Sequence, residues 1–195
     1  MKLVSFFLIL TSIGNQVTAQ DTVQVVHSVV VDTLKDTMIT VPLASSTSLQ
    51  DSIKRRESTP NGQHIDAMIK YAKTFLGTPY RYAGTTPSGF DCSGFINYVM
   101  GDFGFELTRT SYGLAELGQT VRLSEVRPGD LLFFKGRNVN STSVGHVGMV
   151  VEVVGSQIKM IHSSTSRGVV VENFNASSYY VPRFIKAKRL DYGVK

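Results

Sequence analysis

Residues 89–95 read Gly-Phe-Asp-Cys-Ser-Gly-Phe and contain the single cysteine of this 195-residue chain. A loop rich in Gly and Pro leads into this stretch, and an apolar pattern with helical spacing follows it. The pattern predicts that Cys92 lies at the N-terminus of a helix. Unpaired backbone N–H groups and the helix dipole favour a negative sulfur there, so we expect a lowered pKa for the Cys92 thiol.

The segments around this stretch predict two kinds of secondary structure in sequence. Apolar residues from Ile65 to Leu76 recur at helical spacing, and a third, short helix is expected over residues 110–117. Helices followed by strands predict an α+β domain, with the helices packed on one antiparallel sheet. The segments with strand-like β-branched and aromatic content are residues 131–134, 144–154, 158–161, 169–171 and 184–190.

A thiol nucleophile needs a base, and the chain has four histidines. His27 lies in a polar N-terminal segment, and His64 lies at the start of the first predicted helix. His146 lies between glycines on one predicted strand, and His162 ends the next. A hairpin that turns near Gly155 would make these two histidines cross-strand neighbours. We therefore expect His146 to be the general base and His162 to orient its imidazole ring.

The same residues allow other interpretations. A lone cysteine can be an inert buried side chain or a redox-sensing or dimerising thiol, and a histidine on an apolar strand can be a packed core residue. Two histidines can also suggest a metal site, but no acidic residue has a convincing spacing to them, so neither a metal nor another cofactor is expected.

The N-terminus predicts export. Residues 1–19 combine Lys2, a short apolar stretch and small residues ending at Ala19, which is typical of a cleaved signal peptide. Residues 20–63 are polar and predict a flexible tether, and residues 64–195 form the expected folded domain. Beyond the signal peptide no apolar run is long enough to span a bilayer, so no transmembrane segment is expected in the mature chain. We expect a periplasmic, cell-wall or extracellular protein.

The chain has a formal net charge of +5, which suits an anionic polymer as a partner. Basic residues cluster near the C-terminus, at Arg183, Lys186, Lys188 and Arg189. They alternate with apolar residues, so we interpret them as the solvated face of an edge strand and expect no nucleic-acid partner.

Five stretches in this order resemble the NlpC/P60 cysteine peptidases of bacterial cell walls. They are residues 79–84, 89–95, 127–134, 146–149 and 161–164. The resemblance implies a papain-like α+β fold in which Cys92 is the nucleophile, His146 the base and His162 the third, polar member of a triad. It implies that the substrate is peptidoglycan peptide, cut either between D-γ-glutamate and the diamino acid of the stem or at the cross-link between D-alanine and the diamino acid.

The resemblance also implies roles for residues near the nucleophile. Tyr80 would reach the oxyanion or the substrate, Asp91 and Ser93 would bind the substrate peptide, and Arg109 would lie near the cleft. Ala83 stands where the family usually has glycine, which is a small change unless that position needs a positive φ. A non-catalytic peptidoglycan-binding module, or an amidase or acyltransferase on the same fold, are the alternatives.

Overall fold

The computed structural model describes residues 60–192, so the predicted signal peptide and residues 20–59 of the predicted tether lie outside the described part. The described part contains three α-helices, α1 (Pro60–Lys73), α2 (Cys92–Gly101) and α3 (Ser111–Leu114), and a short hairpin lies between α1 and α2. Residues 60–63, expected in the tether, are the first turn of α1. None of the helices within residues 60–192 is both long and apolar enough to cross a membrane.

The strands form a two-stranded hairpin and a six-stranded sheet. Both are antiparallel, and the larger sheet has the order β3-β8-β4-β5-β6-β7. The predicted α+β fold, with helices on an antiparallel sheet, is confirmed. The strands are β1 (Thr85–Thr86), β2 (Gly89–Phe90), β3 (Gln119–Val121), β4 (Leu131–Lys135), β5 (Val144–Val154), β6 (Gln157–Ser164), β7 (Gly168–Asn173) and β8 (Phe184–Arg189).

The sheet is buried on both faces, and β4 shows how. Leu131 and Phe133 contact the cluster that packs under α2, whereas Leu132 and Phe134 contact a second cluster on the opposite face. Side chains alternate between the two faces of a strand, so an uninterrupted apolar run is what a strand buried on both sides requires. Helix α2 is thereby fixed against the centre of the sheet, where its first residue meets β5.

The prediction that β8 is an edge strand is wrong. Strand β3 pairs with its outer side and β4 with its inner side, so β8 lies inside the sheet. Its basic residues are therefore engaged within the fold. Lys186 pairs with Glu116 at 3.0 Å, Lys188 donates to the carbonyl of Gly118 at 3.3 Å, and Arg189 pairs with Asp130 at 2.8 Å.

Candidate active site

Cys92 is the first residue of α2 and lies where the helix meets β5. Asp91 precedes it as the N-cap, and its carboxylate accepts from the backbone N–H of Gly94 at 2.6 Å. The thiol is buried, and the backbone N–H groups of Val147, Ser93 and Cys92 itself favour its negative form. The sulfur therefore lies against β5 at the residue that follows His146.

Close backbone packing between the loop before Cys92 and the first turn of α2 requires glycine at position 94. A Cβ atom on Gly94 would lie 2.1 Å from the carbonyl oxygen of Gly84, which accepts a hydrogen bond from the N–H of Asp91. Ala83 adopts a φ of 57°, the left-handed region that favours glycine. The expectation that alanine fits without a positive φ is therefore wrong, and this chain carries strained backbone there.

The pKa of Cys92 is raised, not lowered as expected from its position on the helix. Burial of the thiol is the main cause, and the negative charge of Asp91 acts in the same direction. The three backbone N–H donors favour the thiolate, but they do not outweigh these two effects. The resting sulfur is therefore a thiol.

The two histidines predicted to meet are in contact. Nε2 of His146 lies 3.1 Å from Nδ1 of His162. They are diagonal neighbours and not directly opposite, because Met149 pairs with Ile161, which places Gly148 opposite His162. The register of β5 and β6 shifts between Val150 and Glu152, which lie between the turn and the histidines. Counting residue pairs outward from the turn therefore gives the wrong cross-strand partner for His162. Glycine at 148 leaves room for the second ring, since a Cβ there would lie 3.2 Å from Cβ of His162.

Sequence reasoning missed a carboxylate behind the histidines. Oε2 of Glu172, on β7, lies 3.3 Å from Nε2 of His162, and Arg167 and Ser177 bind the same carboxylate. These contacts lower the pKa of Glu172 to about 2, and the hydrogen bond with His162 has the largest effect. Pairing of β6 with β7 brings Glu172 next to His162. The only indication of this in the sequence is that Glu172 follows His162 on a strand-like segment.

The carboxylate determines where the protons lie. An ionised carboxylate accepts hydrogen bonds only, so Nε2 of His162 carries a hydrogen and its Nδ1 is an acceptor when the ring is neutral. Nε2 of His146 must then donate to that Nδ1. The remaining nitrogen of His146, Nδ1, is left unprotonated and able to accept a proton.

Aromatic rings hold the imidazole of His146. The ring of Tyr180 stacks on it at 5.4 Å between centroids, and the Tyr180 hydroxyl lies 3.4 Å from Nδ1 of His162. Phe134 packs on the same histidine at 6.0 Å. Burial lowers the pKa of His146 well below its ordinary value, and the neighbouring His162 acts in the same direction. At neutral pH the imidazole is therefore uncharged.

Four further residues were predicted near the nucleophile, and hydrogen bonds join three of them, Asp91, Ser93 and Arg109. Asp91 forms a bidentate pair with Arg109, at 2.5 and 3.0 Å, and the same guanidinium donates to the Ser93 hydroxyl at 2.9 Å. Tyr80 forms a backbone bridge with Phe90, the residue before Asp91. Burial raises the pKa of its phenol, and the neighbouring Cys92 and Asp91 act in the same direction.

The other two histidines lie elsewhere. His64 lies on α1 and contacts the ring of Phe103, with 5.2 Å between the ring centroids. His27 lies outside the described residues. No group of three or more His, Cys, Asp or Glu side chains that could hold a metal ion occurs between residues 60 and 192.

The helix-borne thiol beside a sheet-borne histidine pair defines a protein of the papain-like cysteine peptidase class. A model of the NlpC/P60 family matches residues 77–189, which is more than half of the chain. The chain belongs to the NlpC/P60 family, and the predicted membership is confirmed.

Individual relatives agree with this assignment. The chain is 33% identical over 150 residues to the Escherichia coli K12 protein named murein DD-endopeptidase MepS/murein LD-carboxypeptidase, covering 75% of this chain and 74% of that one. It is 34% identical over 126 residues to the gamma-DL-glutamyl hydrolase of Bacillus subtilis, covering 64% of this chain but only 30% of the relative's length. The crystal structure of an NlpC/P60 family protein from Bacillus cereus ATCC 10987 matches 64% of this chain and 39% of its own, with 34% identity and a TM-score of 0.58.

Proposed function

We propose that this chain is an exported cysteine endopeptidase that hydrolyses peptide bonds in the stem or cross-link peptides of peptidoglycan. One observation carries the proposal. The thiol of Cys92 meets the backbone of β5 at Val147, next to a histidine that a second histidine and a carboxylate hold in one tautomer. That arrangement supplies a nucleophile, a base and a residue that orients the base, which are the parts acyl transfer through a thioester requires.

The proposed reaction begins from a neutral thiol and a neutral imidazole. Nδ1 of His146 takes the proton of the Cys92 thiol as the sulfur attacks the carbonyl carbon of the substrate. In this scheme backbone N–H groups at the start of α2 stabilise the oxyanion, and the phenol of Tyr80 donates a further hydrogen bond to it. The C–N bond then breaks, the amine leaves with the proton from His146, and an acyl-enzyme thioester remains.

Water completes the cycle. Nδ1 of His146 takes a proton from a water molecule, whose oxygen attacks the thioester carbon. The C–S bond breaks, the carboxylic acid product leaves, and the sulfur recovers its proton from His146. His162 remains the hydrogen-bond partner of Nε2 throughout, so the ring presents the same nitrogen in both half-reactions.

Glu172 is a positioning residue in this scheme. It accepts from Nε2 of His162 and is itself held by Arg167, so it fixes the tautomer of His162 without touching the reacting atoms. When His146 becomes positively charged, the hydrogen bonds through His162 connect it to the carboxylate of Glu172. The negative charge of Glu172 stabilises this charged form of His146.

The substrate assignment is supported by the names of the relatives and by charge. One relative is named a murein DD-endopeptidase and another a gamma-DL-glutamyl hydrolase, so both the cross-link bond and the γ-D-glutamyl bond are candidates. Arg109, Asp91 and Ser93 form a polar surface at the N-terminus of α2 for a substrate peptide. Export through a signal peptide over residues 1–19 would place the protein where peptidoglycan lies.

The test uses the chain from Gln20 onward and its Cys92→Ala variant. Both are incubated with purified peptidoglycan and defined muropeptides, and the products are identified by mass. Cross-linked dimers that become monomers identify a D-alanyl cross-link endopeptidase, and stems cut after glutamate identify a γ-D-glutamyl endopeptidase. A chain that binds peptidoglycan but gives no Cys92-dependent product is a binding module, and products of a different bond indicate an amidase or acyltransferase.

A further inference from the structure

A cavity of about 200 Å³ opens beside His146, on the side where β4 runs into β5. The imidazole of His146 forms part of its wall, together with the rings of Tyr179 and Tyr180. Lys135 and Arg137 line it as well, and no acidic residue does. The cavity is therefore a cationic compartment that shares a wall with the proposed base.

Its positive charge is not neutralised within residues 60–192. Nζ of Lys135 donates only to the carbonyl of Val139, at 2.8 Å, and Arg137 is exposed without an ion pair in this part of the chain. Arg183 is a third cation, in contact with two of the lining residues, Tyr179 and Arg137. Its guanidinium lies 3.8 Å from the centroid of the Tyr179 ring and donates to the carbonyl of Arg137 at 3.4 Å. Nε of Arg183 is buried and has no hydrogen-bond acceptor.

The cation beside Asp91 and Ser93 differs from those at the cavity. Arg109 is paired bidentately with Asp91, so its charge is largely cancelled before any substrate binds. The two ends of the site therefore offer different chemistry: a paired ion cluster near the N-terminus of α2, and unpaired positive charge beside His146. An anionic group of a substrate gains more from the second.

The reaction direction shows which half of the substrate reaches this cavity. His146 protonates the leaving amine, so the amine half of the scissile bond must lie on the His146 side of the site. We propose that the cavity binds a carboxylate of the amine-side residue of the substrate. The assignment of the amine side rests on the proposed function, whereas the cationic cavity does not depend on it.

This subsite narrows the substrate class. In a cross-link, the carbon that carries the leaving nitrogen can also carry a free carboxylate, as it does in a diamino dicarboxylic acid. The carboxylate is then within a few bonds of the leaving amine and within reach of a cavity that contains His146 in its wall. In the γ-D-glutamyl bond the free carboxylate of the same diamino acid lies at the far end of its side chain. The cavity therefore favours cross-link cleavage.

Binding is measured first, with the Cys92→Ala chain so that nothing is cleaved. The probes are a D-alanyl cross-linked peptide whose acceptor diamino acid has a free carboxylate beside the linked nitrogen, and the same peptide with that group as a carboxamide. Isothermal titration calorimetry is expected to show about tenfold weaker binding of the carboxamide, as for loss of one charge-assisted hydrogen bond. Adding Arg137→Gln or Lys135→Gln should remove most of this difference.

Arg122→Gln is the matched control, because Arg122 is an exposed cation outside the lining of the cavity. It should leave the discrimination unchanged, and thermal melting of each variant checks that it is folded. Equal dissociation constants for the two peptides, no binding of either peptide, or an equal loss for both peptides in Arg137→Gln and Lys135→Gln would overturn the subsite.

Cleavage of the same two peptides by the protein with Cys92 intact then distinguishes this proposal from the proposed function. Discrimination in binding without cleavage of any peptide refutes the peptidase proposal and keeps the anion site. Cleavage of both peptides with equal kcat/KM, with no discrimination in binding, refutes the site and keeps the peptidase.

Discussion

Nε2 of His146 and Nδ1 of His162 lie 3.1 Å apart although the two residues are not opposite each other in the sheet. The contact exists because His162 faces Gly148, whose missing side chain leaves space for the imidazole rings to meet on the diagonal. The second ring is held in turn by Glu172, at 3.3 Å from its Nε2. The proton arrangement of the proposed base is thus set by a residue on β7, two strands away from it.

Glu172→Ala is expected to lower kcat about ten- to a hundredfold and to leave KM nearly unchanged, because it removes a charge-assisted hydrogen bond to His162 without touching the substrate. Glu172→Gln should recover part of the rate, since the amide oxygen can still accept from Nε2 of His162. The measurement is steady-state kinetics on a defined muropeptide.

Glu152→Gln is the matched control, because Glu152 is an exposed residue paired with Lys159 on the same sheet. It should behave as the unmodified protein. A change in KM alone for Glu172→Ala, or equal loss in Glu172→Gln and Glu172→Ala with unchanged melting, would contradict the positioning role.

The raised pKa of Cys92 predicts slow alkylation near neutral pH. A buried thiol beside Asp91 is protonated there, so the rate of reaction with iodoacetamide should increase with pH on the alkaline side and should not level off below the ordinary thiol pKa of 9.0. Mass spectrometry of the intact chain follows the rate, and Cys92→Ala gives the background. A rate that stays constant down to acidic pH would show a thiolate–imidazolium pair instead.

The pKa of His146 predicts the acid side of the activity profile. A protonated His146 cannot accept the thiol proton, and its pKa is lowered, so kcat/KM should fall only below the ordinary value of 6.5. Burial is the main cause of the lowered pKa and His162 is the second, and His162→Asn removes this imidazole while keeping an amide oxygen that can accept from Nε2. The acid limb of this variant should move upward towards 6.5. An acid limb that stays in place in His162→Asn would disprove the electrostatic coupling between the two rings.

Local patterns were sufficient for much of the fold. The helix at Cys92 and the apolar strand β4 were predictable because capping and burial on both faces leave direct signals in the sequence. Strand β3 has no such signal in the sequence, since it consists of three residues of mixed polarity and forms only by pairing with β8. The internal position of β8 depends on that pairing, so local alternation suggested an edge.

The candidate site shows the same division. Cys92 and the two histidines stand in recognisable stretches, but the diagonal contact depends on a register shift in β5 that no local pattern announces. Glu172 and Tyr180 reach the histidines through strand pairing and a turn, not through spacing. The direction of the Cys92 pKa was mispredicted for a related reason, because the depth of burial is a property of the packed domain.

The contact between Gly94 and the loop before Cys92 gives a prediction about stability. A Cβ on Gly94 would lie 2.1 Å from the carbonyl oxygen of Gly84 and 3.0 Å from the Asp91 carboxylate, and neither can move without breaking the cap of α2. Gly94→Ala should therefore lower the free energy of unfolding by about 3 kcal/mol. Urea denaturation followed by circular dichroism measures the change.

Gly101→Ala is the control on the same helix, because nothing lies within 4 Å of a Cβ placed there. Alanine is the better helix former, so this variant should be unchanged or more stable by about 0.5–1 kcal/mol. The two glycines are seven positions apart on α2, and a Cβ would meet close backbone atoms at Gly94 and open space at Gly101. Equal effects of the two substitutions would mean that the backbone at Cys92 is free to adjust, and that the close approach of Gly84 does not hold the nucleophile in place.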